Sequence, residues 1–175
     1  ILDFLSENGV SRSDLVIALG GGVCGDIAGF AASAYLRGIG YVQIPTTFLA
    51  AIDSSVGGKT AIDLKAGKNL AGAFYQPELV ICDADTLSTL KPETFADGAA
   101  EAIKYGILKD PEIFDIFARG EAREKLEFII RRSVEIKAGY VEEDEYDRGL
   151  RMFLNLGHTA GHAIEKLSCF SMTHG

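Results

Sequence analysis

Five consecutive apolar residues, Leu15 to Leu19, run straight into Gly20-Gly21-Gly22, and this junction constrains the fold more than any other feature of the chain. An apolar run of that length, closed by glycine, suits a strand better than a helix. Behind it, the small-residue stretch from Asp26 to Arg37 reads as a helix closed by Gly38. Tyr41 to Ile44 gives a second buried strand, ended by Pro45, and Glu78 to Cys82 gives another. Short β-type runs alternating with helical stretches from Asp14 to Leu90 are the pattern of a parallel sheet with crossover helices. Lys59 to Asn69 alternates around Gly67 as a polar hairpin or extended loop.

After Leu90 the period changes. Pro92 suits a first helical turn, and Phe95, Ala99, Ala102, Ile103 and Ile107 follow at helical spacing, as do Leu126, Ile129, Ile130, Val134 and Val141 further on. The expected architecture is α/β followed by all-α: a partial Rossmann-like parallel-sheet lobe over residues 1–90 and a helical lobe over residues 91–175. The 175 residues suffice for one medium domain or two small lobes sharing an interface. With Ile1 at one end and Gly175 at the other, the chain reads as a segment of a longer protein.

Charge and cysteine content narrow the function. A net charge of -8 without any Lys/Arg block excludes a nucleic-acid binder, which needs a basic face. No apolar stretch approaches the roughly eighteen residues of a membrane span. Cys24, Cys82 and Cys169 are odd in number and widely spaced, which fits a reducing, cytoplasmic setting.

Four clusters carry chemistry. Arg151, Asn155, His158, His162 and Glu165 project within roughly 80° of one another on a single helix. Apolar residues occupy the rest of its circumference. Such a helix is expected to be buried, and its charged line needs a metal, a ligand or mutual pairing. His158 and His162, at i and i+4, can close on one metal ion or stand as hydrogen-bonded core histidines. Gly20 to Gly25 satisfies G-x-G-x-x-G between strand and helix, where backbone amides can hold a phosphate; a tight turn without ligand gives the same pattern. Asp53 to Thr60 ends like a phosphate loop, but Asp53 stands where that motif needs glycine, which leaves an anion cradle built on Lys59 and Lys68 or a plain surface loop. Glu101 and Lys104, one turn apart, are a surface pair or, if buried, a source of the carboxylate a histidine metal site lacks.

These motifs fall in a recognisable order. Gly20-Gly21-Gly22-Val23 with Asp26, Tyr35-x-Arg37-Gly38, Pro45-Thr46-Thr47, Asp53-Ser-Ser-Val-Gly-Gly-Lys59-Thr60, Gly67-Lys68-Asn69, Ala100-Glu101-x-x-Lys104 and Asn155-x-Gly157-His158-Thr159-x-Gly161-His162 together resemble the 3-dehydroquinate synthase family over almost the whole chain. The resemblance implies an enzyme of the shikimate route that converts 3-deoxy-D-arabino-heptulosonate 7-phosphate to 3-dehydroquinate and phosphate. It implies NAD as a recycled catalyst, a divalent zinc (or cobalt) ion and a homodimeric full-length protein. Oxidation of a hydroxyl, phosphate elimination, re-reduction and an intramolecular aldol closure then share one pocket.

Carried onto this chain, the resemblance makes Glu101, His158 and His174 the metal ligands and turns His162 toward the substrate phosphate in a proton-handling role. Lys59, Asn69 and His162, with Arg37 from a partner subunit, would hold the phosphate. Lys137, Arg151 and Asn155 would meet the carboxylate end, and Lys104 and Asp53 the hydroxyls beside the metal. Asp53, Lys59, Lys104, Asn155 and His162 form the implied catalytic set. The dinucleotide would lie on Gly22, Val23, Cys24, Gly25, Asp26, Thr46, Thr47, Asp53, Lys59, Lys68, Thr86, Leu87, Ser88 and Thr89. Asp147 stands where the family pattern has Glu, one methylene longer, and is given no role. The alternatives are a sister sugar-phosphate cyclase, a metal-dependent polyol dehydrogenase of similar layout, and a non-catalytic segment that binds no ligand independently.

Overall fold

The computed structural model describes residues 1–168 and 171–175, so Cys169 lies outside the described residues. After a short helix α1 (Leu2–Glu7), strand β1 (Leu15–Gly20) enters helix α2 (Gly22–Ala34), which returns to strand β2 (Gly40–Pro45). β1 pairs parallel with β2 from Leu15 opposite Gly40 to Gly20 opposite Pro45, and β2 pairs parallel with β5 (Leu79–Val80). The three-stranded sheet runs β1-β2-β5. Two sequence expectations shift here. The helix begins at Gly22, four residues before Asp26, because the glycine turn itself supplies the first helical residues. β5 keeps only two of the residues from Glu78 to Cys82, since its pairing with β2 extends no further.

α2 packs across one face of the sheet, with Ala18 and Ala32 buried, and Ile39 and Tyr41 join Ala32 in a small core. The opposite row of β1, Leu15, Ile17 and Leu19, is exposed. A strand that is apolar on both faces is therefore covered on one of them. The polar hairpin forms as expected, with β3 (Lys59–Leu64) antiparallel to β4 (Gly67–Phe74).

The rest is helical: α3 (Pro92–Leu108), α4 (Pro111–Ala118), α5 (Leu126–Glu143) and α6 (His158–Leu167). Pro92 and Pro111 open their helices, where a missing N–H costs nothing, and the Asp110 carboxylate caps α4 by accepting from the Glu112 amide at 3.2 Å. The larger core joins Ala102, Tyr105, Ile113, Ile116 and Ile129 of these helices to Phe48, Ala51 and Ile52, which follow β2, and to Leu87. Phe48 and Phe95 stack with ring centroids 4.9 Å apart.

Candidate functional site

The helix expected to carry Arg151 through Glu165 is two pieces. A 3-10 turn, Leu150–Asn155, is followed by extended Leu156 (ψ 124°) and left-handed Gly157 (φ 84°), and α6 starts afresh at His158. Glycine adopts that backbone without the steric penalty other residues meet, so the chain turns here instead of continuing. The common polar line therefore does not exist, and the predicted burial fails with it: Phe153, Leu156, Ile164 and Leu167 are exposed. Arg151, 2% exposed, turns instead toward the glycine loop, donating from Nη2 to the Gly57 carbonyl at 3.0 Å and from Nη1 to the Glu145 carbonyl at 2.7 Å.

His158 and His162 remain together on the first turns of α6, and His174 folds back onto them. Nitrogen atoms of the three rings lie within 4.8 Å of one another. Glu101, buried on α3, brings Oε1 to 3.9 Å from His158 Nε2 and 3.8 Å from His174 Nε2. Its Oε2 is taken by the buried Lys104 ammonium. The other ring nitrogens are occupied as well: His158 Nδ1 faces the Leu156 carbonyl at 3.4 Å, and His174 Nδ1 faces Glu165 Oε1 at 3.1 Å. Two Nε2 atoms and one carboxylate oxygen thus converge, and these are donors that suit zinc or cobalt in a three-ligand site with an open position. They line a cavity of about 190 Å³ together with Lys104, His162, Gly157 and Gly161. Burial and the neighbouring Lys104 push the His158 pKa down, which favours the neutral imidazole a metal requires.

A second polar cluster lies beneath Lys104. Asp53 follows β2 in a π-helical turn (Ala50–Ser54), and its Oδ1 accepts from the Tyr105 hydroxyl at 2.7 Å and pairs with Lys137 at 2.9 Å. Burial opposes ionisation of Asp53, yet Lys137, Tyr105 and Lys104 outweigh it and hold the carboxyl well below the usual range. The same burial pushes Lys137 down, against the pull of Asp53, and burial with the Asp53 charge pushes Tyr105 up. Burial also raises Asp26 to about 6; Lys137 opposes this shift, and Asp53 and Asp63 reinforce it. Among the described residues the buried charged side chains are Glu101, Lys104, Lys137, Arg151 and Glu165, all in or beside these two clusters.

The remaining expected residues are spread around them. Lys59 projects from β3 and pairs with Asp147, whose Oδ1 is buried without a partner. Lys68, on β4, stands 3.6 Å from Glu165 Oε2. Asn69 is left-handed (φ 54°) within β4, opposite the irregularity between Ile62 and Leu64, its backbone amide donating to Asp63 Oδ1 at 2.8 Å. Asn155 and Arg37 are exposed, Arg37 with a left-handed backbone (φ 67°). At the glycine turn a Cβ on Gly21 would stand 3.1 Å from the Thr47 side chain and one on Gly22 would stand 2.9 Å from the Ser54 hydroxyl, so both glycines pack closely on these side chains. Thr46 anchors the turn, its amide donating to the Gly20 carbonyl at 2.8 Å, and the Cys24 thiol is directed to the Leu19 carbonyl at 3.4 Å. Val23 is exposed at the start of α2, where the helix dipole favours an anion. Gly25 is buried against Gln43. Thr86 and Ser88 spend their hydroxyls on the Asp83 and Asp85 carbonyls, and Leu87 is buried in the helical core, with Thr89 closing that turn. A larger cleft of about 770 Å³, lined by Val56, Val80, Ile130 and Arg131, holds none of the expected residues.

Sequence reasoning assigned no role to Tyr105, Asp147 or Glu165. Tyr105 meets Asp53 across 52 residues, a pairing that no periodicity encodes. Glu165 stood on the predicted polar line, so its charge was the available signal.

A family model for the 3-dehydroquinate synthase N-terminal region matches residues 1–97, and one for the C-terminal region matches residues 98–175. The chain is 52% identical to the 3-dehydroquinate synthase of Pelobacter propionicus, covering 100% of this chain and 51% of that protein. It is 53% identical to that of Clostridium beijerinckii, covering 100% and 50%. Among solved structures, 2-epi-5-epi-valiolone synthase from Streptomyces hygroscopicus with NAD+ and Zn2+ bound superposes with a TM-score of 0.90 at 31% identity, over 99% of this chain and 51% of that one. For 2-deoxy-scyllo-inosose synthase complexed with carbaglucose-6-phosphate, NAD+ and Co2+ the TM-score is 0.87 at 30% identity, over 99% and 49%. The chain spans about half the length of the curated relatives it matches.

Proposed function

Because this chain belongs to the 3-dehydroquinate synthase family, we propose that it forms the crevice in which a full-length enzyme converts 3-deoxy-D-arabino-heptulosonate 7-phosphate to 3-dehydroquinate and phosphate. One juxtaposition carries this: Glu101 Oε1 from α3 lies 3.9 Å from His158 Nε2 and 3.8 Å from His174 Nε2, with the buried Lys104 fixing the other carboxylate oxygen. When bound, zinc or cobalt would polarise the substrate hydroxyls, and NAD would take up and return a hydride.

The chain's own groups orient substrate and move protons. Glu101, His158 and His174 would hold the ion, while His162, exposed beside the cavity, would exchange a proton with the substrate phosphate. Lys59 gives up Asp147 for the phosphate, helped by Asn69 and by Arg37 of a second subunit in a homodimer. Lys137, Arg151 and Asn155 receive the carboxylate end. Ionised Asp53, held by Tyr105 and Lys137, accepts from a substrate hydroxyl beside Lys104. The glycine turn, Thr46, Thr47 and the N-terminus of α2 receive the dinucleotide pyrophosphate, with Lys68 and the Thr86 to Thr89 segment alongside. The setting is a reducing one, in keeping with unpaired Cys24 and Cys82.

Phosphate release and zinc content, measured together on the full-length protein, test this. Wild type is expected to turn over the heptulosonate phosphate and not glucose 6-phosphate, with no net NADH. Glu101→Gln is expected to lose zinc and activity together. Full zinc occupancy in that variant removes Glu101 from the ligand set, and turnover of the hexose phosphate alone assigns the crevice to a sister cyclase.

A further inference from the structure

Glu165 is 5% exposed on α6 and has no place in the ligand set, yet a carboxylate is not buried without partners. It has two. Its Oε1 lies 3.1 Å from His174 Nδ1, and its Oε2 lies 3.6 Å from the ammonium of Lys68 on β4. An ionised carboxylate only accepts, so His174 Nδ1 must carry the proton. In a neutral imidazole the lone pair then sits on Nε2, the atom that faces Glu101 at 3.8 Å.

His174 needs such support more than His158 does. His158 rides on the first residue of α6, whereas His174 lies beyond the end of that helix, with no regular backbone around it. From this geometry we propose that Glu165 is the positioning residue of the metal centre: it sets the tautomer and ring orientation of His174 and ties that ligand to the hairpin lysine Lys68. The inference rests on the reading of Glu101, His158 and His174 as ligands.

The full-length protein is titrated with zinc against a competing chelator, and the cobalt-loaded form is followed by its visible absorption. Glu165→Ala is expected to weaken zinc binding about 10- to 100-fold, as loss of an outer-shell carboxylate does elsewhere, and to alter the cobalt bands. Glu165→Gln keeps an acceptor for Nδ1–H and is expected to recover part of that loss. Unchanged zinc affinity and cobalt bands in a folded Glu165→Ala protein overturn the proposal. Should neither variant fold, imidazole 15N shifts of the zinc-loaded wild type decide: coordination through His174 Nε2 supports it, coordination through Nδ1 overturns it. If zinc affinity survives His174→Ala, the ligand assignment itself falls, an outcome separate from failure of Glu165 alone.

Discussion

Asp26 shows how a single side chain reports on the crevice. Burial raises its pKa from 3.8 to about 6, and Asp53 and Asp63 add to the rise. An acid whose folded pKa exceeds its unfolded value binds its proton more tightly when folded. Its contribution to stability is therefore full below the unfolded pKa and is lost as pH climbs through about 6. Asp26→Asn keeps the neutral form at every pH. Without NAD, the variant should match wild type near pH 4 and exceed it above pH 7 by about 1–2 kcal/mol, a figure reduced for partial solvent exposure. Thermal melts across that range check this, and a constant offset would show that ionisation is not the cause.

At the scale of elements, the joint at Leu156 and Gly157 matters most. Nothing stands within 4 Å of a Cβ built on Gly157, so Gly157→Ala meets no clash and is strained only by φ 84°. That strain is about 1–2 kcal/mol. Zinc affinity should fall more than the melting temperature indicates, because relaxing the joint swings His158 away from Glu101; an equal effect on both would make the joint merely structural. The sequence revealed this region only partly. Strands β1 and β2, the hairpin and helices α3 and α5 were legible because each has its own local period. The break was not, since a lone glycine in a helical pattern is ordinarily tolerated and the apolar spacing on either side happens to stay in phase. Of the residues assigned to the metal, His174 came only from motif order, whereas helical spacing favoured the His158 and His162 pair and offered Glu101 only as a carboxylate that burial would make available. The Asp53, Tyr105 and Lys137 contacts depend on tertiary packing, which local pattern does not encode.

For the molecule as a whole, Arg151 is one tie between the glycine loop and the helical part, through the Gly57 and Glu145 carbonyls. Arg151→Ala removes two charge-assisted hydrogen bonds, so stability should drop by about 2–4 kcal/mol. Calorimetry on the full-length protein should find substrate affinity reduced far more than NAD affinity; an equal loss of both leaves Arg151 an architectural role only. The two parts are also joined through their interiors. Phe48 and Ile52, which leave the sheet after β2, are wholly buried in the helical core. Levering the parts apart would drag two large apolar side chains into water, at about 1.5–3 kcal/mol each. The crevice therefore has a welded spine, and any breathing over a bound molecule is expected in the Lys59 to Phe74 hairpin and in residues 171–175 around His174. Amide exchange slowed by ligand should be confined to those two stretches, leaving the backbone around Phe48 as slow before binding as after.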